Sequence, residues 1–254
     1  FVGFHTFDYV QNFLDSVRRL TGYSHRLGQV ATPTHLVQVD AFPLGIDYQR
    51  YARASRRPAV KKIMKKLRHD IGKRKMLLSL DRLDYTKGII QRLQAFADFL
   101  ANHPEHLHKV TLVLVLAIWR PKVLQYQRLK QNIDRLIGQI NGTYGGIDWT
   151  PVRYVVRTIG FDELTALYAT ADVALITPLR DGMNLVAKEY IATRQDNRGV
   201  LVLSEMAGAA EEMGEAVIVN PFDKRGFAEA IQQAITMPLV EQRQRNRQLR
   251  VRLQ

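Results

Sequence analysis

The sequence contains no cysteine, which excludes a disulfide framework, a thiol nucleophile and a zinc–thiolate site. It also lacks a long apolar run: the longest, residues 110–119, is shorter than the roughly 20 residues that a helix needs to span a bilayer. Residues 1–10 have neither a basic segment nor an apolar core, so no signal peptide is indicated. We therefore expect a cytoplasmic protein with no membrane partner.

The 254 residues are 46% hydrophobic and 24% charged, which is typical of a globular chain and excludes a disordered or collagen-like one. This length suits one large domain or two small ones, at about 100–200 residues each. The chain begins with Phe1, inside a segment that reads as a strand, and we expect it to be a piece of a longer protein.

The net charge of +13 comes mainly from residues 50–75, where twelve Lys or Arg accompany one acid, Asp70. Apolar residues at helical spacing between Val60 and Ile71 predict an amphipathic helix with its lysines on the solvated face. Polyanion binding is the alternative, but the stretch has no interleaved aromatics and no helix-turn-helix or zinc pattern. No nucleic-acid partner is therefore expected. A second basic cluster at 243–252 reads as a solvated or docking face of a C-terminal helix.

The first part of the chain predicts a strand end, a helix and a second strand. Thr6 is placed to cap a helix that carries Val10, Leu14 and Leu20 on one side and ends at Gly22. A strand follows at 36–42 and is broken by Pro43-Leu-Gly-Ile-Asp47. We predict a domain boundary here, with domains at 1–46 and 47–254.

The rest of the chain alternates apolar runs with helical stretches. The runs are β-branched and nearly continuous, as in strands buried on both faces. Such alternation predicts βαβ units and a doubly wound parallel sheet, in which ligands bind beyond the carboxyl ends of the strands. The predicted strands are 76–80, 110–116, 152–156, 173–177, 199–204 and 216–220; the predicted helices are 89–101, 123–140, 163–169, 185–193 and 227–236.

Charged residues follow the first of these strands, in Asp81-Arg-Leu-Asp84-Tyr-Thr-Lys87-Gly88. Two cations, Arg82 and Lys87, stand at a strand end before a helix N-terminus, which attracts phosphate. One interpretation is a diphosphate site, where Arg82 binds through two parallel hydrogen bonds and Lys87 adds a point charge. The other is a surface ion pair of Arg82 with a neighbouring aspartate, and the residues alone do not decide between them.

A second charged turn follows the strand at 173–177, in Pro178-Leu-Arg-Asp-Gly-Met-Asn-Leu-Val-Ala-Lys-Glu189. Asp181 or Asn184 suits a helix cap, and Glu189, costly to bury without a partner, suits recognition of sugar hydroxyls. Arg120, after the strand at 110–116, reads by itself as an exposed arginine. The cluster His103, His106 and His108 reads as a solvent-facing loop rather than a metal site.

These segments together resemble glycosyltransferase family 20, the trehalose-6-phosphate synthases, along nearly the whole chain. The similarity is most specific at residues 177–189. The matching segments are Gly3-Phe-His-Thr6, Pro43-Leu-Gly-Ile-Asp47, Asp81-Arg-Leu-Asp-Tyr-Thr-Lys-Gly88, Ile140-Asn-Gly-Thr-Tyr-Gly145, Asp148-Trp-Thr-Pro151, Thr177-Pro-Leu-Arg-Asp-Gly-Met-Asn-Leu-Val-Ala-Lys-Glu189, Gly199-Val-Leu-Val-Leu-Ser204, Ala207-Gly-Ala-Ala210 and Val219-Asn-Pro221.

The resemblance implies a GT-B glycosyltransferase, in which two Rossmann-like domains face each other across a cleft. It implies transfer of glucose from UDP-glucose to glucose 6-phosphate with retention of configuration, and no metal or other cofactor. Residues 47–254 would be the C-terminal nucleotide-sugar-binding domain, and residues 1–46 the end of the acceptor-side N-terminal domain. A homo-oligomer and a fused or associated trehalose-6-phosphate phosphatase are left open.

The resemblance also assigns roles by position. It makes Arg82, Lys87 and Asp181 the catalytic set: the two cations contact the donor diphosphate, and the aspartate holds hydroxyls of the transferred glucose. Arg120 would contact the acceptor phosphate. The remaining donor-binding residues are Leu164 near the uracil, the turn Gly182, Met183, Asn184 and Leu185 against sugar and phosphate, and Glu189 on the ribose.

Three alternatives stay open at this point. The first is a non-catalytic regulatory homologue that keeps the ligand pocket, and the second is a related transferase with another acceptor. Polyanion binding through residues 50–75 is the third. Several N-terminal family segments that supply acceptor contacts are not among these 254 residues, so we expect no turnover by this stretch alone.

Overall fold

A computed structural model describes residues 1–117 and 124–254. The chain divides into two compact units, Phe1–Gly45 and Ile46–Gln254. Within the described ranges, no helix combines the length and the hydropathy needed to cross a bilayer.

The first unit is a small sheet with one helix packed on it. Its strand order is β1-β4-β3-β2, with β1 parallel to β4 and the other neighbours antiparallel. The helix begins after Thr6, whose hydroxyl accepts from the Tyr9 amide, and ends at Gly22 in the left-handed conformation (φ 77°). The elements are β1 (Val2–Phe4), α1 (Phe7–Thr21), β2 (His25–Arg26), β3 (Gln29–Ala31) and β4 (Leu36–Ala41).

Two features of this unit differ from the sequence predictions. The short hairpin of β2 and β3 was not expected; it turns through Leu27 and Gly28, both with positive φ. Leu20 was placed on the buried side of α1, but its side chain is 85% exposed. Val10 and Leu14, predicted on the same side of that helix, are buried as expected.

The second unit alternates strands and helices. Short 3-10 helices at Tyr85–Lys87, Pro104–His106 and Gly208–Glu211 join some of them. The main elements are α2 (Tyr48–Ala54), α3 (Pro58–Ile71), β5 (Lys75–Arg82), α4 (Ile89–Asn102), β6 (Val110–Ala117), α5 (Leu124–Tyr144), β7 (Val152–Val156), α6 (Phe161–Thr170), β8 (Val173–Ile176), α7 (Leu185–Thr193), β9 (Val200–Ser204), β10 (Val217–Val219), α8 (Lys224–Thr236) and α9 (Leu239–Leu253).

The predicted doubly wound parallel sheet is confirmed. The strand order is β10-β9-β8-β5-β6-β7, and all neighbours are parallel. Successive strand residues enter opposite cores: Leu77 packs with α4, α5 and α8, whereas Met76 and Leu78 pack with α3, α6, α7 and α9. The order reverses between β5 and β8, and such a reversal opens a crevice at the carboxyl edge of the sheet.

The basic stretch forms two helices rather than one. Arg57 is extended (ψ 139°) and Pro58 occupies the first turn of α3, so the chain bends between α2 and α3. Val60 and Ile71 are buried on the core side of α3. Its lysines, Lys61, Lys62, Lys65 and Lys66, are exposed.

The interpretation of the histidine cluster as a solvent-facing loop was wrong for two of its members. The rings of His103 and His106 lie 5.4 and 5.3 Å from the Phe99 ring and are partly buried. Aromatic stacking on α4 accounts for this burial. His108 is exposed, as expected.

Candidate active site

The turns after β5 and β8 meet at the carboxyl edge of the sheet. The Leu179 amide donates to the Thr86 carbonyl at 2.7 Å, which joins the two turns directly. Gly88 ends the first turn in the left-handed conformation (φ 66°), and a Cβ there would collide with the Thr177 carbonyl oxygen. Only glycine combines this positive φ with the lack of a Cβ, so the close approach of the two turns requires a glycine at this position.

The meeting of these turns brings two of the predicted catalytic residues into contact. The Lys87 ammonium lies 2.6 Å from a carboxylate oxygen of Asp181, and the side chains are 14% and 16% exposed. Arg82 is the last residue of β5 at the same edge, with an exposed side chain. When a ligand binds at the sheet reversal, the cation of such a pair can bind an anion, and the carboxylate can accept from hydroxyl groups.

Asp181 is held by its own turn. Its carboxylate accepts from the Asn184 side-chain amide at 3.1 Å, and Asn184 in turn caps α7 by accepting from the Ala187 amide at 3.2 Å. Asn184 adopts a left-handed conformation (φ 81°), which asparagine tolerates better than most residues. Met183 is buried in the core and Leu185 is partly buried against it, so their backbone is what the turn offers to a ligand.

A third turn, after β9, supports the second. The Asp181 amide donates to the Met206 carbonyl at 3.2 Å, and the Gly208 amide donates back to the Asp181 carbonyl at 3.0 Å. The partly exposed Gly182 follows directly in the chain. The turn at 178–184 is thus fixed from both sides, which pre-organises its carboxylate and backbone amides.

Arg92 on α4 holds the first turn in place, and the sequence analysis did not identify it. Its side chain is 1% exposed and donates to an Asp81 carboxylate oxygen at 2.5 Å and to the Lys87 carbonyl at 3.0 Å. It also donates to the hydroxyls of Ser79 and Thr177. Burial raises the pKa of Asp81, while the positive charges of Arg92 and Lys87 oppose that rise. Arg92 therefore positions the first turn. The sequence feature that could have identified it is its position among the apolar residues on the buried side of α4.

Glu189 lies on α7 beside two phenols. Tyr168 on α6 donates to it at 2.8 Å, and the phenol of Tyr51 on α2 is close enough for the carboxylate to act on its pKa. Burial and the adjacent carboxylate raise the pKa of both phenols, so they stay protonated donors. Leu164 lies one turn before Tyr168 on α6 and is partly buried. The carboxylate is therefore oriented by its neighbours, and the burial cost noted in the sequence is offset.

Lys188 is the second residue that the sequence analysis missed. It is 3% exposed and pairs with Glu212 at 2.7 Å, which ties α7 to the segment after β9. Arg120, predicted to contact the acceptor, lies outside the described residues. In the described ranges, no three His, Asp or Glu side chains are grouped to hold a metal ion.

The chain is similar to known proteins along nearly its whole length. The model of glycosyltransferase family 20 matches residues 1–253. A bifunctional trehalose-6-phosphate synthase/phosphatase from Thermoproteus tenax is 48% identical over 252 residues, covering 99% of this chain and 34% of that protein.

Solved structures are similar over the same extent. An α,α-trehalose-phosphate synthase (UDP-forming) from Burkholderia xenovorans, in complex with glucose-6-phosphate, has a TM-score of 0.95 and 35% identity, over 99% of this chain and 56% of that one. An E. coli trehalose-6-phosphate protein bound with UDP-2-fluoro glucose has a TM-score of 0.94 and 35% identity, over 99% of this chain and 56% of that one. The chain thus spans between about a third and just over half of the length of these relatives. It belongs to glycosyltransferase family 20.

Proposed function

We propose that this chain is the donor-binding part of a retaining glycosyltransferase that moves glucose from UDP-glucose to glucose 6-phosphate, giving trehalose 6-phosphate and UDP. The observation that carries the proposal is the Lys87–Asp181 pair at the sheet reversal, 2.6 Å apart. The complexes named for UDP-2-fluoro glucose and glucose-6-phosphate among the similar structures support the choice of substrates.

In this proposal the cations act on the leaving group. Cleavage of the glucosyl–phosphate bond builds negative charge on the diphosphate, and Lys87 and Arg82 stabilise that charge in the transition state. The glucosyl carbon becomes bonded to the acceptor oxygen, and the departing diphosphate takes the acceptor proton. The loss of one such donor is expected to cost about 3 kcal/mol, or about a hundredfold in rate.

The hydroxyl-binding groups complete the donor site. Asp181 accepts from hydroxyls of the transferred glucose, and Glu189 accepts from the ribose. The backbone of residues 182–185 lies against sugar and phosphate, with Leu164 beside the uracil. Arg120 contacts the phosphate of the acceptor. A fused phosphatase, as in the name of the Thermoproteus tenax relative, and a homo-oligomer stay predictions.

The test combines calorimetry with an activity assay in the intact protein. Lys87→Ala and Arg82→Ala are each expected to weaken UDP binding about ten- to a hundredfold, because each removes a charge-assisted contact. Lys61→Ala, which removes an exposed lysine on α3, is the matched control and should leave UDP affinity unchanged. Unchanged affinity in both site variants would reject the donor site.

Release of UDP from UDP-glucose, measured with and without glucose 6-phosphate, tests the reaction itself. Release that depends on glucose 6-phosphate is the expected result. UDP binding without any release would instead favour the regulatory homologue, and release with a different acceptor would favour a related transferase. The expectation that residues 1–254 alone do not turn over substrate is checked by the same assay on that stretch.

A further inference from the structure

A cavity of about 310 Å³ opens at the amino-terminal edge of the large sheet, at the opposite end of the strands from the candidate active site. Three lysines and a histidine line it, together with apolar side chains from the start of β6 and the end of α8. The lining includes Lys73, Lys75, His106, Lys109, Val110 and Ile235.

The sheet register brings these cations together. Lys75 is the first residue of β5 and pairs with Val110, the first residue of β6. The Lys75 amide donates to the Lys109 carbonyl at 2.8 Å, and the Lys109 amide donates to the His106 carbonyl at 3.0 Å. The segments before two neighbouring parallel strands therefore converge, and each contributes lysine side chains to one cavity.

Among the residues that the structure describes, no carboxylate forms an ion pair with any of the three lysines. The Lys75 ammonium donates to the Ile235 carbonyl at 2.7 Å, near the C-terminus of α8. Lys73 and Lys109 are exposed, and in the described part of the chain neither lies within ion-pair distance of an acid. Two carboxylates lie close to this edge, but each already has partners and neither lines the cavity: Glu105 lies 3.7 Å from Nε2 of His106, and Asp172 accepts from the Met76 amide at 2.8 Å and pairs with Arg68. Like charges focused in a cleft with apolar walls attract a small anion.

We propose that this cavity binds a small anion carrying a phosphate group, at a site separate from the donor site. A phosphate monoester carries nearly two negative charges and three strong acceptor oxygens, which suits a cavity bordered by three lysines. Val110 and Ile235 provide an apolar wall for the organic part of a phosphorylated metabolite. The inference does not rest on the proposed transferase activity.

The test uses the ring signals of His106 in the intact protein with ¹³C-labelled histidine, assigned with His106→Gln. Inorganic phosphate is titrated at an ionic strength held constant with chloride. We expect saturable shifts of the His106 signals. Lys73→Gln with Lys109→Gln should raise the half-saturating phosphate concentration about tenfold or more, because each lysine supplies a charge-assisted contact.

The matched control is Lys61→Gln with Lys65→Gln, which removes two exposed lysines from α3 and should leave the titration unchanged. Absence of shifts, shifts that chloride reproduces, or equal weakening by both double variants would overturn the site, because general electrostatic attraction would then suffice. Abolition of the response by saturating UDP would also overturn it, because phosphate would then be at the donor site.

A second titration with glycerol phosphate separates the two sources of such a ligand. Tighter binding than that of inorganic phosphate supports a phosphorylated metabolite that contacts the apolar wall, and equal binding supports phosphate itself. Failure of both probes to shift His106 contradicts the proposal.

Discussion

Replacement of Asp181 by asparagine is expected to strengthen the binding of UDP. In the structure the Lys87 ammonium already has a partner, because Asp181 lies 2.6 Å away. A diphosphate that binds Lys87 must therefore compete with this carboxylate and lie beside its negative charge. Asparagine keeps the shape and one acceptor oxygen, but it removes the charge that opposes the ligand.

The size of the effect follows from the burial of the pair. Opposite unit charges about 4 Å apart attract by about 4 kcal/mol at an effective dielectric constant of about 20. Both side chains retain some contact with water, 14% and 16% exposed, and asparagine still accepts a hydrogen bond. We therefore expect a net gain of about 1–2 kcal/mol, or about five- to thirtyfold tighter UDP binding.

The assay is calorimetry of the intact protein with UDP and with UDP-glucose. UDP should bind Asp181→Asn more tightly, whereas UDP-glucose should gain less affinity than UDP, since the carboxylate that accepts from glucose hydroxyls is lost. Asp162→Asn, which removes a more exposed paired aspartate on α6, is the matched control. Weaker or unchanged UDP binding in Asp181→Asn would refute the competition argument.

Three further predictions concern the framework of the site. Gly88→Ala should lower the free energy of unfolding by at least about 1–2 kcal/mol, because position 88 has a positive φ and an added Cβ would meet the Thr177 carbonyl. Denaturant titration measures this loss, and unchanged stability would contradict the prediction. Arg92→Met should lower the free energy of unfolding by about 3–5 kcal/mol, because Asp81 is left buried without its partner. Adding Asp81→Leu should restore most of that loss. No restoration would contradict the account of the buried pair. Burial raises the pKa of Tyr168 above 10, so this phenol contributes stability that is present below pH 10 and lost above it. In Tyr168→Phe the free energy of unfolding should therefore fall less steeply above pH 10. An unaltered slope would contradict this prediction.

The large sheet could be predicted because its signals are local. Each strand is a short apolar run, and helix α7 has the predicted bounds because Asn184 caps it and the apolar residues after it follow helical spacing. The hairpin of β2 and β3 was missed, since strands of two and three residues carry too little pattern. The prediction that Leu20 is buried was wrong, because helical periodicity shows which side of a helix is apolar. It does not show how much of the length of the helix is covered by the sheet on which it packs.

The candidate site was predictable only in part. The resemblance and the strand ends selected Lys87 and Asp181, although they are 94 residues apart in the chain, and the structure brings them into contact. Arg92 and Lys188 were missed because the helical pattern does not show what a buried cation pairs with: Asp81 lies 11 residues before Arg92 on another element, and Glu212 lies 24 residues after Lys188. The roles of the site residues, including Arg120 beyond the described ranges, stay predictions.

A crystal structure of the intact protein with UDP bound tests the central claim most directly. The account predicts that the diphosphate contacts Lys87 and Arg82, that Lys87 loosens its contact with Asp181, and that the ribose hydroxyls reach Glu189. UDP bound elsewhere, with the Lys87–Asp181 pair intact and Glu189 still bonded only to Tyr168, would contradict it.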